Sequence, residues 1–220
     1  VNAYDDYFLS KPFLRMLQAG EIDEKIVDDK VRNILRMVFR TNMNKHRPWG
    51  SFGTAEHALT GRQIAQEGIV LLQNKRSLLP IDLNGVGKIL VVGENALKMM
   101  TVGGGSSSLK AKYEISPLDG LRKRVGNQAE VVYTPGYISR SSGNNNEVTA
   151  EAIELAKDAD LVVFIGGLNK DDFQDCEDSD RKNLSLPYGQ DQVIEELSKV
   201  NKNIVVVIIS GNAVAMPWID

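Results

Sequence analysis

Six carboxylates crowd one short stretch of this chain. Asn169-Lys-Asp-Asp-Phe-Gln-Asp-Cys-Glu-Asp-Ser-Asp-Arg181 contains Asp171, Asp172, Asp175, Glu177, Asp178 and Asp180. Like charges this close repel one another, which disfavours a regular element and disfavours ionisation of any carboxyl among them. A glutamic acid so placed can hold a proton near neutral pH and deliver it to a leaving oxygen, the work of a general acid/base. Glu177 lies centrally enough to be that group. Arg181 opposes this by favouring the anion, unless Asp180 or another loop carboxylate engages it. A solvated surface loop is the plainer reading of the same residues, because charge runs commonly face water.

Other chemistries fit less well. A Gly103-Gly-Gly-Ser-Ser-Ser108 loop follows Gly93-Glu-Asn-Ala96, and glycines after a first strand can bring backbone amides to a phosphate. The Gly-x-Gly-x-x-Gly order is absent from that turn, and Lys110 lies outside the spacing of Gly-x-x-x-x-Gly-Lys-Ser/Thr. The loop is better suited to meeting a polar ligand through hydroxyls and amides. Serine nucleophile chemistry lacks a Gly-x-Ser-x-Gly elbow, and the only histidines, His46 and His57, fall in a linker and at a helix start. The acidic stretch offers oxygens to a hard cation but lacks the Asp-x-Asp-x-Asp-Gly-x5-Glu order of a calcium hand. No cofactor and no metal are therefore expected.

Composition bounds the rest. With 220 residues, 42% hydrophobic and 25% charged, the chain reads as an ordinary globular protein of one or two domains with a substantial core. A net charge of -3 and a pI near 5.5 leave no concentrated basic surface, so no nucleic-acid partner is expected. No apolar run approaches the ~18 residues of a membrane span, so no membrane is expected either. A single cysteine, Cys176, excludes an internal disulfide and leaves the redox compartment open. The chain lacks an initiator methionine and stops abruptly at Asp220, which leads to the expectation of a piece of a longer protein.

The elements that have to position these residues alternate. Lys88–Gly93, Glu130–Thr134, Leu161–Ile165 and Asn203–Ser210 are short apolar runs of the kind that form buried parallel strands, with helical stretches near 116–125, 147–157 and 188–199 between them. Strand and helix in alternation imply right-handed crossovers and a parallel sheet covered on both faces. The acidic stretch leaves the C-terminal end of the third run, where open α/β sheets place their ligands. Residues 54–220 thus read as a doubly wound α/β domain, incomplete because Pro217-Trp-Ile-Asp220 stops where another helix and strand are expected. Thr54 caps a helix to about residue 67, and Ile69-Val-Leu-Leu-Gln73 follows as an extended segment. Upstream, Val27, Val31, Ile34, Leu35 and Val38 recur at helical spacing, and Pro12 to Ala19 ends at Gly20, a left-handed cap. Residues 11–40 read as a helical hairpin closing a larger body that is otherwise missing, and residues 42–53 as a linker.

Several of these residues together resemble glycoside hydrolase family 3, the β-glucosidase-like enzymes. Gly167-Leu-Asn169, Glu177-Asp-Ser-Asp-Arg181 and Leu184-Ser-Leu-Pro-Tyr-Gly-Gln190 are similar to its Gly-Leu-Asn...Glu-Gly-x-Asp-Arg-x-x-Leu-x-Leu-Pro-Gly-x-Gln signature. Asp28 to Leu35 resembles the helix ending that family's barrel domain, and His57 to Asn74 the entry to its second domain. Ser77-Leu-Leu-Pro80, Val92-Gly93, Gly103-Gly-Gly-Ser106 and Ser116-Pro-Leu-Asp-Gly120 also fall where members carry similar residues. The family's glycines after the glutamate and after Leu-Pro are Asp178 and Tyr188 here.

The resemblance implies a retaining, exo-acting β-glycosidase whose substrate is an oligosaccharide or other β-glycoside. It implies Glu177 as the acid/base, with the nucleophile in a (β/α)8-type barrel upstream, so that residues 1–41 are the helical tail of that barrel and this chain alone is inactive. Asp180 and Arg181 are implied to support the loop, and Ser106 to contact sugar hydroxyls or the loop bearing Glu177. A periplasmic or extracellular location follows from the family alone. A different class remains open, a non-catalytic α/β module that binds carbohydrate or nucleotide, because no second catalytic carboxylate has a recognisable setting here. A phosphorylase, with phosphate as acceptor, is a third reading.

Overall fold

Four apolar runs become the four strands of one parallel sheet. They are β1 (Lys88–Val92), β2 (Glu130–Thr134), β3 (Leu161–Gly167) and β4 (Ile204–Ile209), in the order β2-β1-β3-β4. The computed structural model describes residues 11–219 except 44, 47, 102–105, 107–108, 140–144, 171–173 and 178–179. Three helices return the chain between strands: α4 (Pro117–Val125), α5 (Asn145–Lys157) and α6 (Gln190–Val200), numbered after three upstream helices. Ser116 caps α4 by accepting from Asp119 N at 3.1 Å, and Pro117 follows at the first helical position, where its missing N–H costs nothing.

Side-chain alternation divides the core between the two faces of the sheet. Ile89, Val91, Leu161, Val163 and Ile165 face α4 and pack with Leu118 and Val125. Leu90, Val92, Val162 and Phe164 face α5 and α6 and pack with Ala152, Ala156, Val193, Ile194 and Leu197. Helices on both faces are what a doubly wound α/β fold requires, and this is the architecture that the strand-helix alternation implied. β3 is buried along its whole length. Each large apolar side chain there contributes about 1.5–3 kcal/mol through burial, so β3 is the strand least able to accept a polar substitution.

The strand order also locates a crevice. From β1 the chain goes outward through α4 to β2, then back across β1 through α5 to β3. The direction of winding reverses between β1 and β3, and the loops leaving their C-terminal ends part there.

By its internal contacts the chain divides into Val1–Arg62 and Gln63–Asp220, within α3 (Ala55–Gly68). In the first unit, α1 (Lys11–Gln18) is followed by Gly20 at φ +75°, in the left-handed region. α2 (Glu24–Thr41) is capped by Asp23, which accepts from Lys25 N at 2.9 Å. Thr54 accepts from His57 N at 3.2 Å at the start of α3. None of the three helices buries a residue. The apolar stripe of α2 is open, with Ile34 59% and Phe39 57% exposed. Ile69 to Leu72 is exposed too and pairs in no strand. No helix among the described residues is long and apolar enough to cross a membrane.

Candidate active site

The loop bearing Glu177 starts from a strand end with no space for side chains. In β3 the N–H groups of Val162 and Leu168 donate toward β4, so the alternate residues face β1. β1 ends at Val92, whose register partner is Phe164, and the polar groups of Gly167 on that side lie beyond the ladder. Gln190 takes the place of the missing strand. Its Oε1 accepts from Gly167 N at 2.8 Å and its Nε2 donates to Gly167 O at 2.9 Å, all buried. Gly167 itself has φ +114°, and a Cβ there would lie 2.1 Å from Ile209 O, so only glycine fits. Gly93 ends β1 in the same way, at φ +116° with Ile165 O 2.1 Å from a would-be Cβ. Asn95 then joins the two strand exits by donating from Nδ2 to Leu168 O at 3.1 Å.

Glu177 and Ser106 meet at this crevice. The glutamate is exposed, and its Oε2 accepts the Ser106 backbone N–H at 2.7 Å and the Ser106 hydroxyl in a second, very short contact. Ser106 belongs to the chain between β1 and α4; the glycines Gly103, Gly104 and Gly105 beside it lie outside the described residues. The two donors hold the Glu177 carboxyl below its ordinary range, the hydroxyl contributing most and the amide next. The balance that the sequence left open between crowded carboxylates, which favour the proton, and Arg181, which favours the anion, is shifted here by a third group, Ser106. The donors of Ser106 favour the anion, and exposure to water weakens like-charge repulsion.

The other loop carboxylates have separate roles. Asp171, Asp172 and Asp178 fall outside the described residues. Asp180 is exposed, and among the described residues its carboxylate accepts no hydrogen bond. Asp175 turns toward the chain after β4, accepting from Gly211 N at 2.6 Å and Asn212 Nδ2 at 3.2 Å, with Lys170 Nζ 3.6 Å away. Arg181 does not pair with Asp180. Its guanidinium donates to Asn212 Oδ1 at 2.6 Å and to Ala213 O, in the turn that follows β4. Gln174 donates to the Tyr188 hydroxyl at 2.7 Å, and the Tyr188 ring stacks on Tyr137 at 6.3 Å and 9°. Burial, and then the nearby Glu94 carboxylate, push Tyr133 up to about 12, and the same two causes raise Tyr137, so both phenols stay protonated. Among the described residues no three His, Cys, Asp or Glu side chains gather as a metal site.

The glycosyl hydrolase family 3 C-terminal domain model matches residues 69–220. The chain belongs to glycoside hydrolase family 3. It is 46% identical to β-glucosidase BoGH3A of Bacteroides ovatus, over 98% of this chain and 31% of that protein. It is 32% identical to thermostable β-glucosidase B of Acetivibrio thermocellus, over 96% of this chain and 27% of that protein. Among solved structures, the family 3 β-glucosidase of Bifidobacterium adolescentis superposes with a TM-score of 0.77 at 29% identity, over 93% of this chain and 29% of that one. The chain thus spans about a third or less of the length of these relatives.

Within the family signature, the departure at Tyr188 has a structural account. Tyr188 occupies the left-handed region at φ 62°, ψ 21°, the conformation for which glycine is the default. The stack on Tyr137 and the Gln174 bond offset a strain of about 1–2 kcal/mol. Two groups were missed in the sequence as individuals. Gln190 stood in the signature without a stated role, and Asp175 was one of six undifferentiated acids, because neither partner, Gly167 or Gly211, is near it in sequence.

Proposed function

We propose that this chain is the C-terminal α/β domain of a longer, retaining, exo-acting β-glycosidase, and that Glu177 is its general acid/base. The observation that carries the reading is the exposed Glu177 carboxylate, held by Ser106 at the sheet's switch point within a family 3 signature. The names of the relatives support a β-glucoside or a similar sugar as the substrate.

Retention requires two carboxyl groups about 5–5.5 Å apart. In the first step a nucleophilic carboxylate from the barrel attacks the anomeric carbon, the bond to the leaving oxygen breaks, and Glu177 gives that oxygen its proton. In the second step the Glu177 anion takes a proton from water as the water oxygen displaces the enzyme carboxylate from the sugar. Ser106 stabilises the anionic form used in the second step. The leaving-group step needs the protonated form and works against the same contact. Without the barrel nucleophile, this chain alone does not hydrolyse glycosides.

The test is Glu177→Ala in the longer protein. Turnover of a substrate with a poor leaving group falls by about 10²–10⁴-fold, the usual contribution of a positioned proton donor. An activated aryl glycoside is turned over again when azide is added, because azide needs no base. Unchanged hydrolysis of the poor substrate overturns the assignment.

A further inference from the structure

The segment that carries Glu177 is tied down at both ends to one turn. Asp175, just before it, grips Gly211 N and Asn212 Nδ2; Arg181, just after it, grips Asn212 Oδ1 and Ala213 O. That turn directly follows β4, the neighbour of β3 in the sheet. The acid/base loop leaves one strand of the sheet and is moored to the exit of the next.

Asp175 is built into this mooring more deeply than its exposed neighbours. Its side chain is 13% exposed, and a polar group so covered is costly to bury unless protein donors replace the water it loses. The Gly211 amide, the Asn212 side chain and Lys170 supply them; Lys170 also donates to the Asp175 backbone carbonyl. The other side of the contact is equally specific. A Cβ on Gly211 would lie 2.7 and 2.8 Å from the two Asp175 carboxylate oxygens, so a side chain there displaces the carboxylate.

We infer that Asp175 is a positioning residue for Glu177, transmitting the fixed place of the β4 exit turn to the acid/base carboxyl. This rests on the reading of Glu177 as the acid/base. Proton donation matters most when the leaving group is poor, so a displaced Glu177 penalises such substrates selectively. Damage to the fold as a whole lowers turnover of all substrates alike.

The experiment compares Asp175→Ala, Asp175→Asn, Gly211→Ala and Glu177→Ala in the longer enzyme, each on a poor and an activated leaving group. In Asp175→Ala, kcat for the poor substrate falls about 10–100-fold and for the activated one less than about 3-fold, the scale of an ångström-level misplacement. Gly211→Ala, far away in sequence, gives the same ratio, and Asp175→Asn, which keeps an acceptor for Gly211 N, recovers part of it. Equal losses on both substrates in these variants, or no loss, overturn the inference while Glu177→Ala still shows its selective defect. If Glu177→Ala itself leaves the poor substrate unaffected, it is the acid/base reading that fails. Should Asp175→Ala not fold, the substrate ratios of Asp175→Asn and Gly211→Ala decide the matter.

Discussion

Glu177 rests as an anion because Ser106 offers it two donors, a backbone N–H that no substitution removes and a hydroxyl that one substitution does. Ser106→Ala therefore lets Glu177 titrate at higher pH than in the parent protein. If Glu177 is the proton donor, the alkaline limb of the kcat/KM profile marks its loss of that proton and moves to higher pH in Ser106→Ala; a stationary limb contradicts this. The sign for stability follows from the same contact. A carboxyl whose folded pKa is depressed contributes stability above the range where the unfolded group titrates, and that contribution is lost as pH falls through the folded value. Because Glu177 is exposed to solvent, the stability effect is small, and the pH profile is the sensitive measurement.

At the scale of elements, the site depends on how two strands end. Gly93 and Gly167 close β1 and β3 in backbone conformations and spaces that admit no side chain, and Gln190, at the start of α6, supplies the ladder partner that β1 is too short to provide. Gln190→Leu keeps comparable volume but leaves two buried backbone groups unpaired, a loss of about 2–6 kcal/mol from two groups at roughly 1–3 each. Gly167→Ala adds a clash with Ile209 O to a strained φ and costs about 3 kcal/mol or more. Denaturant unfolding of the two variants checks both values, and a change below about 1 kcal/mol in either, within the ordinary range of a surface substitution, counts against this account. The four strands were legible because each is a short apolar run bounded by turn residues, and the helices fell within a few residues of where their periodicity placed them. The Gln190 contact was not legible, since a side chain bonding the backbone of a residue 23 positions earlier leaves no periodic trace.

Across the whole molecule the two units differ in kind. Gln63–Asp220 has a core on each face of its sheet, whereas α1 and α2 bury no residue and leave an apolar stripe in water. Helices without tertiary cover are marginal, because propensity alone rarely sustains them. Hydrogen exchange measured on this chain should show the amides of α1 and α2 exchanging orders of magnitude faster than those of β1 and β3, and comparable protection would show that something covers the stripe. Apolar periodicity and the alternation of strand with helix were enough to determine the α/β class and the parallel sheet, and the signature residues from Gly167 to Gln190 carried the resemblance to the family, since these depend on local pattern and on residue identity along the chain. The strand order, the pairing of Ser106 with Glu177 and the direction of Arg181 toward Asn212 and Ala213 rather than Asp180 were decided only by the tertiary structure. Each joins residues that are distant in sequence or chooses among equally available partners, and local pattern carries no information about such choices.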